Sequence, residues 1–184
     1  MHNGPLVLGF DTSAAHVAAA LLCRDEIIAR KVEEMKRGQA ERLMPLLEEV
    51  LAEGGKTFAD LDTIGVGVGP GNFTGIRISV SAARGLALGL GIPAVGVNSF
   101  DAIDAGLDGV GVAVVSAPRG QGYLFPKGGT PYLATEEALA QIAQETPLVT
   151  PKADSLVEQI ARLAAQRYQD NPARPAPLYI KPAD

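Results

Sequence analysis

The stretch GVGVGPGNFTG at residues 65–75 constrains the fold more than any other. Glycine stands at Gly65, Gly67, Gly69, Gly71 and Gly75, with Pro70 between two of them. It reads as the end of a buried strand, a turn and the start of a helix. Glycine at this density lets another backbone approach closely and reaches φ angles that other residues avoid, while Pro70 fixes one φ. Asn72 or Thr74 can cap a helix beginning near Ile76, with Arg77 in its first turn. Such a loop presents backbone N–H groups at a helix N-terminus, which suits an anion or another protein's loop. A tight turn between a core strand and a core helix calls for the same residues. Two known phosphate loops do not match. No Lys follows Gly75, as GxxxxGK[ST] requires, and Pro70, Asn72 and Thr74 stand where GxGxxG needs its third glycine.

The elements around this loop alternate between strand and helix. Residues 5–10 read as a buried strand ending at Asp11-Thr12-Ser13, followed by strands at 16–23 and 27–33 with tight turns, an antiparallel meander. Over residues 38–53, Leu43, Leu46, Leu47, Val50 and Leu51 recur at helical spacing, with Gly54 and Gly55 as the stop. Residues 62–68 are a run of small apolar residues, which predicts a strand buried on both faces. A helix at 76–90, a strand at 94–97 and a short helix at 99–105 capped by Ser99 follow. The order β-β-β-α-β-α-β-α predicts a meander joined to parallel crossovers. Beyond residue 106 the pattern weakens. It gives a hairpin (109–117 and 121–127) around Pro118-Arg119-Gly120, helices at 135–143 and 153–169, a short strand at 148–150 and an extended tail at 171–184 with four prolines.

A net charge of −5 argues against a general nucleic-acid binder, which needs a basic face to displace counterions. The single cysteine, Cys23, lies in an apolar run and reads as a buried thiol, with no intrachain disulfide possible. The chain has two histidines, His2 and His16, and no HxxxH or HExxH, so a protein-only zinc site is not expected. No GxSxG supports a Ser-His-Asp triad through His16. The N-terminal apolar run is too short for a signal peptide, and no run approaches the length of a membrane span.

Two features can carry chemistry or contact. Asp11, Thr12 and Ser13 end the first strand, where an Asp can hold a metal through water and hydroxyls can bind phosphate; a strand-to-turn cap uses the same residues. Ser81, Gly85 and Gly89 fall at i, i+4 and i+8 and form a ridge almost free of side chains. The ridge packs either on this protein's own sheet or against a second helix.

Five segments in order carry a family resemblance: GFDTS at 9–13, ERLMPLLEEVL at 41–51, GVGPGNFTGIRISVSAARGLA at 67–87, IPAVGVNSFDAI at 92–103 and PLYIKPAD at 177–184. Together they resemble the TsaB (YeaZ) family, most specifically through GPGNFTG followed by IRI. The resemblance implies an α/β protein of the actin-like ATPase (ribonuclease H-like) fold, a mixed sheet flanked by helices. It divides the chain into an N-terminal lobe over residues 1–105 and a reduced C-terminal lobe with an extended tail over 106–184. It also implies a cytoplasmic, non-catalytic subunit of the machinery that attaches threonylcarbamoyl to the adenosine beside the tRNA anticodon. The implied partners are a catalytic paralogue, TsaD, and a TsaE-like ATPase. tRNA is met through the complex, and the chain forms a homodimer when alone.

By the same resemblance the partner face takes in Glu41, Arg42, Met44, Arg77, Ser81, Arg84, Gly85 and Gly89. No catalytic residue, metal or intrinsic cofactor is implied. ATP or ADP with magnesium belongs to the complex, and candidate phosphate contacts are Asp11, Thr12, Ser13, Gly69, Gly71, Asn72, Thr74 and Gly75. The catalytic paralogue holds its metal with a helical histidine pair. At the matching helix this chain reads Gly38-Gln39-Ala40-Glu41-Arg42-Leu43, without histidine. The acidic-Arg-Arg turn of many members is Ser116-Ala117-Pro118-Arg119-Gly120 here, and the C-terminal Tyr-Leu-Arg is Tyr179-Ile180-Lys181. Two further readings compete: an ATP-binding phosphotransferase-type enzyme of the same fold, and a metalloprotease, implied only by the older name M22 glycoprotease.

Overall fold

The computed structural model describes residues 4–106, 111–126 and 129–180. The outer ends of the predicted hairpin (Gly109 and Lys127), His2 and Lys181 lie outside the described residues. The first sheet has five strands in the order β3-β2-β1-β4-β5. They are β1 (Leu6–Asp11), β2 (His16–Cys23), β3 (Glu26–Glu34), β4 (Thr63–Gly67) and β5 (Ala94–Val97). β1, β2 and β3 pair antiparallel, whereas β1–β4 and β4–β5 are parallel. The predicted meander with parallel crossovers is therefore the observed topology. A second sheet, in the order β8-β7-β6-β9, holds β6 (Val112–Ser116), β7 (Gly122–Leu124), β8 (Tyr132–Ala134) and β9 (Leu148–Val149). β8 was not expected from the sequence, because three residues are too few to show an alternation.

Helices cover both faces of the first sheet. On one side lie α1 (Gln39–Glu53) and α2 (Phe73–Leu90). Leu43, Leu46, Leu47, Val50 and Leu51 of α1 are buried against Leu8, Phe10, Leu21 and Ile64. Each such side chain contributes about 1.5–3 kcal/mol of burial. α1 continues through Pro45. On the other side lies α5 (Ala153–Arg167), which sets Leu156, Ile160, Ala161 and Ala164 against Val7, Leu22, Val95 and Val97. Gly9 and Gly65 are register partners in β1 and β4. A β-carbon on either would clash with α5, at Ala161 or at Ala164 and the Ile160 carbonyl. Here glycine brings a helix backbone close to a strand. The burial of β4 on both faces follows from this packing.

The remaining helices are α3 (Ser99–Ala105) and α4 (Glu136–Glu145). The cap of α3 is Asn98, whose side chain accepts the Asp101 N–H, one residue before the predicted Ser99. The tail over residues 171–180 has no regular secondary structure and is fastened to α2 and β4. Arg84 Nε donates to the Pro175 carbonyl (2.7 Å), and the Leu178 N–H donates to the Val68 carbonyl (2.8 Å). Ile180 packs against the cluster of Phe100, Ile103, Ala113 and Val115 that joins α3 to the second sheet. Among the described residues no helix is long and apolar enough to cross a membrane.

Candidate functional site

The glycine-rich loop and the Asp11 turn meet at the C-terminal ends of β1 and β4. α2 begins at Phe73, three residues earlier than expected, because Asn72 is its cap and accepts the Gly75 N–H at 2.8 Å. Gly75 thus lies in the first turn of the helix, and the peptide Gly69–Pro70 is cis. The loop does not stand apart from the Asp11 turn but packs directly on it. The Asn72 N–H donates to the Ser13 carbonyl (2.7 Å), and Thr12 Oγ1 donates to the Gly75 carbonyl (2.6 Å). A side chain on Gly75 would overlap the Thr12 carbonyl, and one on Gly71 the Ser13 carbonyl.

Asp11, Thr12 and Ser13 are all buried and turned inward. Asp11 Oδ2 accepts the Ser13 N–H (3.0 Å) and the Ser13 hydroxyl (2.9 Å), and His16 Nε2 lies 2.7 Å from it. The serine, histidine and aspartate therefore come together, but not as a relay. Hydroxyl and imidazole address the same carboxylate oxygen, so the imidazole does not stand between the other two. Asp11 Oδ1 is buried against Gly67 and is, among the described residues, the one buried side-chain oxygen or nitrogen without a partner. Gln39 of α1 closes the turn from the other side. Its Nε2 donates to the carbonyls of Ala14 and His16 at 2.7 Å each and lies 3.3 Å from that of Thr12.

This arrangement does not fit a phosphate at the Asp11 turn. The Thr12 and Ser13 hydroxyls are spent on Gly75 and Asp11, and the space a phosphate needs is filled by loop backbone. Of the other candidate phosphate contacts, Gly69 is buried beside Ile76 and Leu178, while Thr74 is exposed. Thr74 lines a surface recess of about 630 Å³ together with Lys36, Arg37, Gly38 and Asn72. Among the described residues no cluster of three or more His, Cys, Asp or Glu could hold a metal ion.

The residues of the implied partner face lie on the outer sides of α1 and α2. Glu41, Met44, Arg77, Ser81, Arg84, Gly85 and Gly89 are exposed. The question left open by the ridge is resolved: a β-carbon on Gly85 or Gly89 would meet nothing within 4 Å, so the ridge faces outward. Leu88 beside it is 79% exposed. Arg42 has a local role. It bridges Glu33 of β3 and Glu49 of α1 at 2.6–2.8 Å, and Lys31 adds a further contact to Glu49 at 2.6 Å. The guanidinium of Arg42, then the Lys31 ammonium, hold the Glu49 carboxyl down to about 2, and Arg42 likewise lowers Glu33.

Some contacts were not legible in the sequence. Gln39 gave no signal, because an amide in the first turn of an amphipathic helix reads as solvent-facing. The Asp11–His16 contact had one, since a short turn between antiparallel strands brings their ends together. Phe73 stacks on Tyr179 with ring centroids 5.0 Å apart, and the Arg77 guanidinium stands 4.0 Å over the Phe73 ring. Phe73 and Arg77 stand at i and i+4 on one helix face, but no spacing rule links Phe73 to Tyr179.

Comparison with known proteins places this geometry in a family. A family model described as TsaD, tRNA N6-adenosine threonylcarbamoyltransferase, matches residues 26–178. The tRNA threonylcarbamoyladenosine biosynthesis protein TsaB of Escherichia coli is 32% identical over 93 residues, which cover 50% of this chain and 40% of that protein. An uncharacterised protein of Mycobacterium tuberculosis is 35% identical over 119 residues, 64% of this chain and 56% of the other. The chain spans about half the length of the curated relatives it matches. A crystal structure from Pseudomonas aeruginosa, of a protein with similarity to peptidase YeaZ, superposes with a TM-score of 0.75 at 22% identity, covering 96% of this chain and all of that one. The mixed sheet flanked by helices is the actin-like, ribonuclease H-like fold. The chain belongs to the family described as TsaD, tRNA N6-adenosine threonylcarbamoyltransferase, and within it resembles the TsaB (YeaZ) proteins.

Proposed function

We propose that this chain is a non-catalytic subunit in the formation of N6-threonylcarbamoyladenosine in tRNA, and that it works by pairing with a TsaD-type catalytic paralogue. The observation that carries the reading is the ridge Ser81/Gly85/Gly89, which is exposed beside α1 and has open space over both glycines. Two glycines in an exposed helix interior cost about 1 kcal/mol each relative to alanine. A partner helix that comes close over them offsets that cost. Relatives named as TsaB support the pathway. The inward-turned Asp11 cluster supports a structural rather than a chemical role for the turn: it ties β1, β2, α1 and α2 together behind the partner face.

On this reading ATP or ADP with magnesium acts in the assembled complex, at surfaces shared with the partner and with a TsaE-like ATPase. Self-association of the free chain would use the same ridge. The competing reading, an ATP-using phosphotransferase, needs a phosphate where loop backbone now lies. The test is reconstitution. The chain mixed with the TsaD-type paralogue and the TsaE-like ATPase of its own organism restores threonylcarbamoylation of tRNA, and the chain alone turns over no ATP. Turnover by the lone chain, abolished by Asp11→Asn, would replace this reading with the phosphotransferase.

A further inference from the structure

Six of the ten arginines contrast in what they meet. Arg30, Arg42 and Arg167 are paired with carboxylates, of Glu158, of Glu33 and Glu49, and of Asp101. Arg77, Arg84 and Arg174 form no ion pair among the described residues, and all three belong to one face. Across Phe73–Leu90 and residues 171–180 there is no Asp or Glu at all, in a chain of net charge −5. α2 and the tail fastened along it are therefore a positive strip on an acidic protein.

The strip has a defined order. A helix turns about 100° per residue, so Arg77 and Arg84 lie within about 20° of each other and about 10 Å apart along α2. Phe73 and Leu88 extend the same stripe at either end. Arg84 and Arg174 both line a groove of about 750 Å³ between α2 and the tail, floored by Ala87, Ile92, Pro93 and Tyr168. At the other end the Tyr179 ring, the Phe73 ring and the Arg77 guanidinium form one cluster. The Phe73–Tyr179 interplanar angle is 28°, and Arg77 Nε donates to the Tyr179 hydroxyl at 3.1 Å. Phe73 is 51% exposed and Tyr179 47%. The glycine ridge runs beside this stripe, on the side toward α1, and Gly85 borders the same groove as Arg84 and Arg174.

Exposed aromatic rings beside cations that form no ion pair are what a single-stranded nucleic acid recognises. Bases stack on aromatic faces and on guanidinium planes, and phosphates follow the charge. We infer that the α2–tail strip binds single-stranded RNA directly, with one unpaired base on the Tyr179/Phe73/Arg77 cluster and the adjoining phosphates along Arg77, Arg84 and Arg174. An acidic protein segment would meet the same charges but would not need the rings. The inference does not rest on the partner reading.

Fluorescence anisotropy of a labelled eight-nucleotide single-stranded oligoribonucleotide with the full chain tests it. Binding is expected at low salt, with log K falling against log salt at a slope of about −2 for three arginine contacts on a single strand. Tyr179→Ala weakens it about tenfold, and Arg174→Gln, at an exposed site that cannot unfold the protein, reduces the slope by about 0.7. The same sequence as a duplex binds more weakly, because its bases are stacked away. Met44→Ala, on the outer side of α1 and outside the strip, leaves the affinity unchanged while testing the partner face separately. No binding at low salt, equal binding of the duplex, or unchanged affinity in both Tyr179→Ala and Phe73→Leu would overturn the inference. So would displacement by a deca-glutamate peptide as effective as by unlabelled oligonucleotide.

Discussion

Glycine does opposite work in two regions that adjoin along the chain. In the loop, Gly67, Gly71 and Gly75 have no room for a side chain: a β-carbon would run into Asp11, the Ser13 carbonyl or the Thr12 carbonyl. On α2, Gly85 and Gly89 have nothing within 4 Å. The first set closes an interior contact, and without it the Asp11 turn cannot seat on the helix start. The second leaves a surface bare. Residue type alone therefore says nothing about which role a glycine plays; what stands opposite its α-carbon decides it.

Substitutions at the two sets should separate cleanly. Gly75→Ala sets a methyl group against backbone that cannot yield, and should cost about 3 kcal/mol or more, read as a large loss of melting temperature or as insoluble protein. Asp11→Ala attacks the same interior from the other side. It strips partners from the Ser13 N–H and hydroxyl and from the buried His16, at about 3 kcal/mol in chemical denaturation; a loss under about 1 kcal/mol would mean the cluster is not holding the turn. On the surface, Gly85→Leu should leave the unfolding curve of the monomer near that of the parent. Gly85→Ala should raise the stability of the monomer by about 1 kcal/mol, since the helix gains propensity and no contact is lost. For a chain of this size that is about 2–4 °C in melting temperature. A destabilised Gly85→Ala would show that the ridge is packed in solution and would erase the contrast.

The smallest effect concerns the bridge between α1 and β3. Glu49 is held down to about 2, and Glu33 is lowered, by Arg42 foremost. A carboxyl with a depressed folded-state pKa contributes stability above its ordinary value, and loses that contribution as pH falls through the folded value. Arg42→Met should therefore be less stable than the parent at neutral pH, with the difference shrinking between about pH 4.5 and 2. Because the groups are partly exposed, the difference should also shrink in high salt. Acid unfolding curves at two ionic strengths read both.

Much of the scaffold was legible because it depends on local patterns. The apolar strands at 5–10 and 16–23, the small-residue run at 62–68 and the leucine stripe of α1 each report their own burial. What the sequence hid depends on what meets across the fold. The start of α2 at Phe73 rather than Ile76 follows from Asn72 winning the cap. The orientation of the ridge could not be read because α2 carries small residues all round, so either face could have been the core. Thr12 and Ser13 read either as phosphate contacts or as a strand-to-turn cap, and only the fold shows that their hydroxyls point at Gly75 and Asp11. Gln39, a single residue with no motif, turned out to be the latch on that turn. The Phe73–Tyr179 stack joins a helix start to a tail 106 residues away, and only the folded path of the tail reveals it.

The bare shoulder of α2 is proposed to be a partner surface. Sedimentation velocity on the chain mixed with the TsaD-type paralogue of its own organism tests it most directly, using the parent and Gly85→Leu side by side with circular dichroism on each. The parent is expected to form a stoichiometric complex, and a folded Gly85→Leu protein to lose at least tenfold in affinity. A folded Gly85→Leu that pairs as tightly as the parent would contradict it.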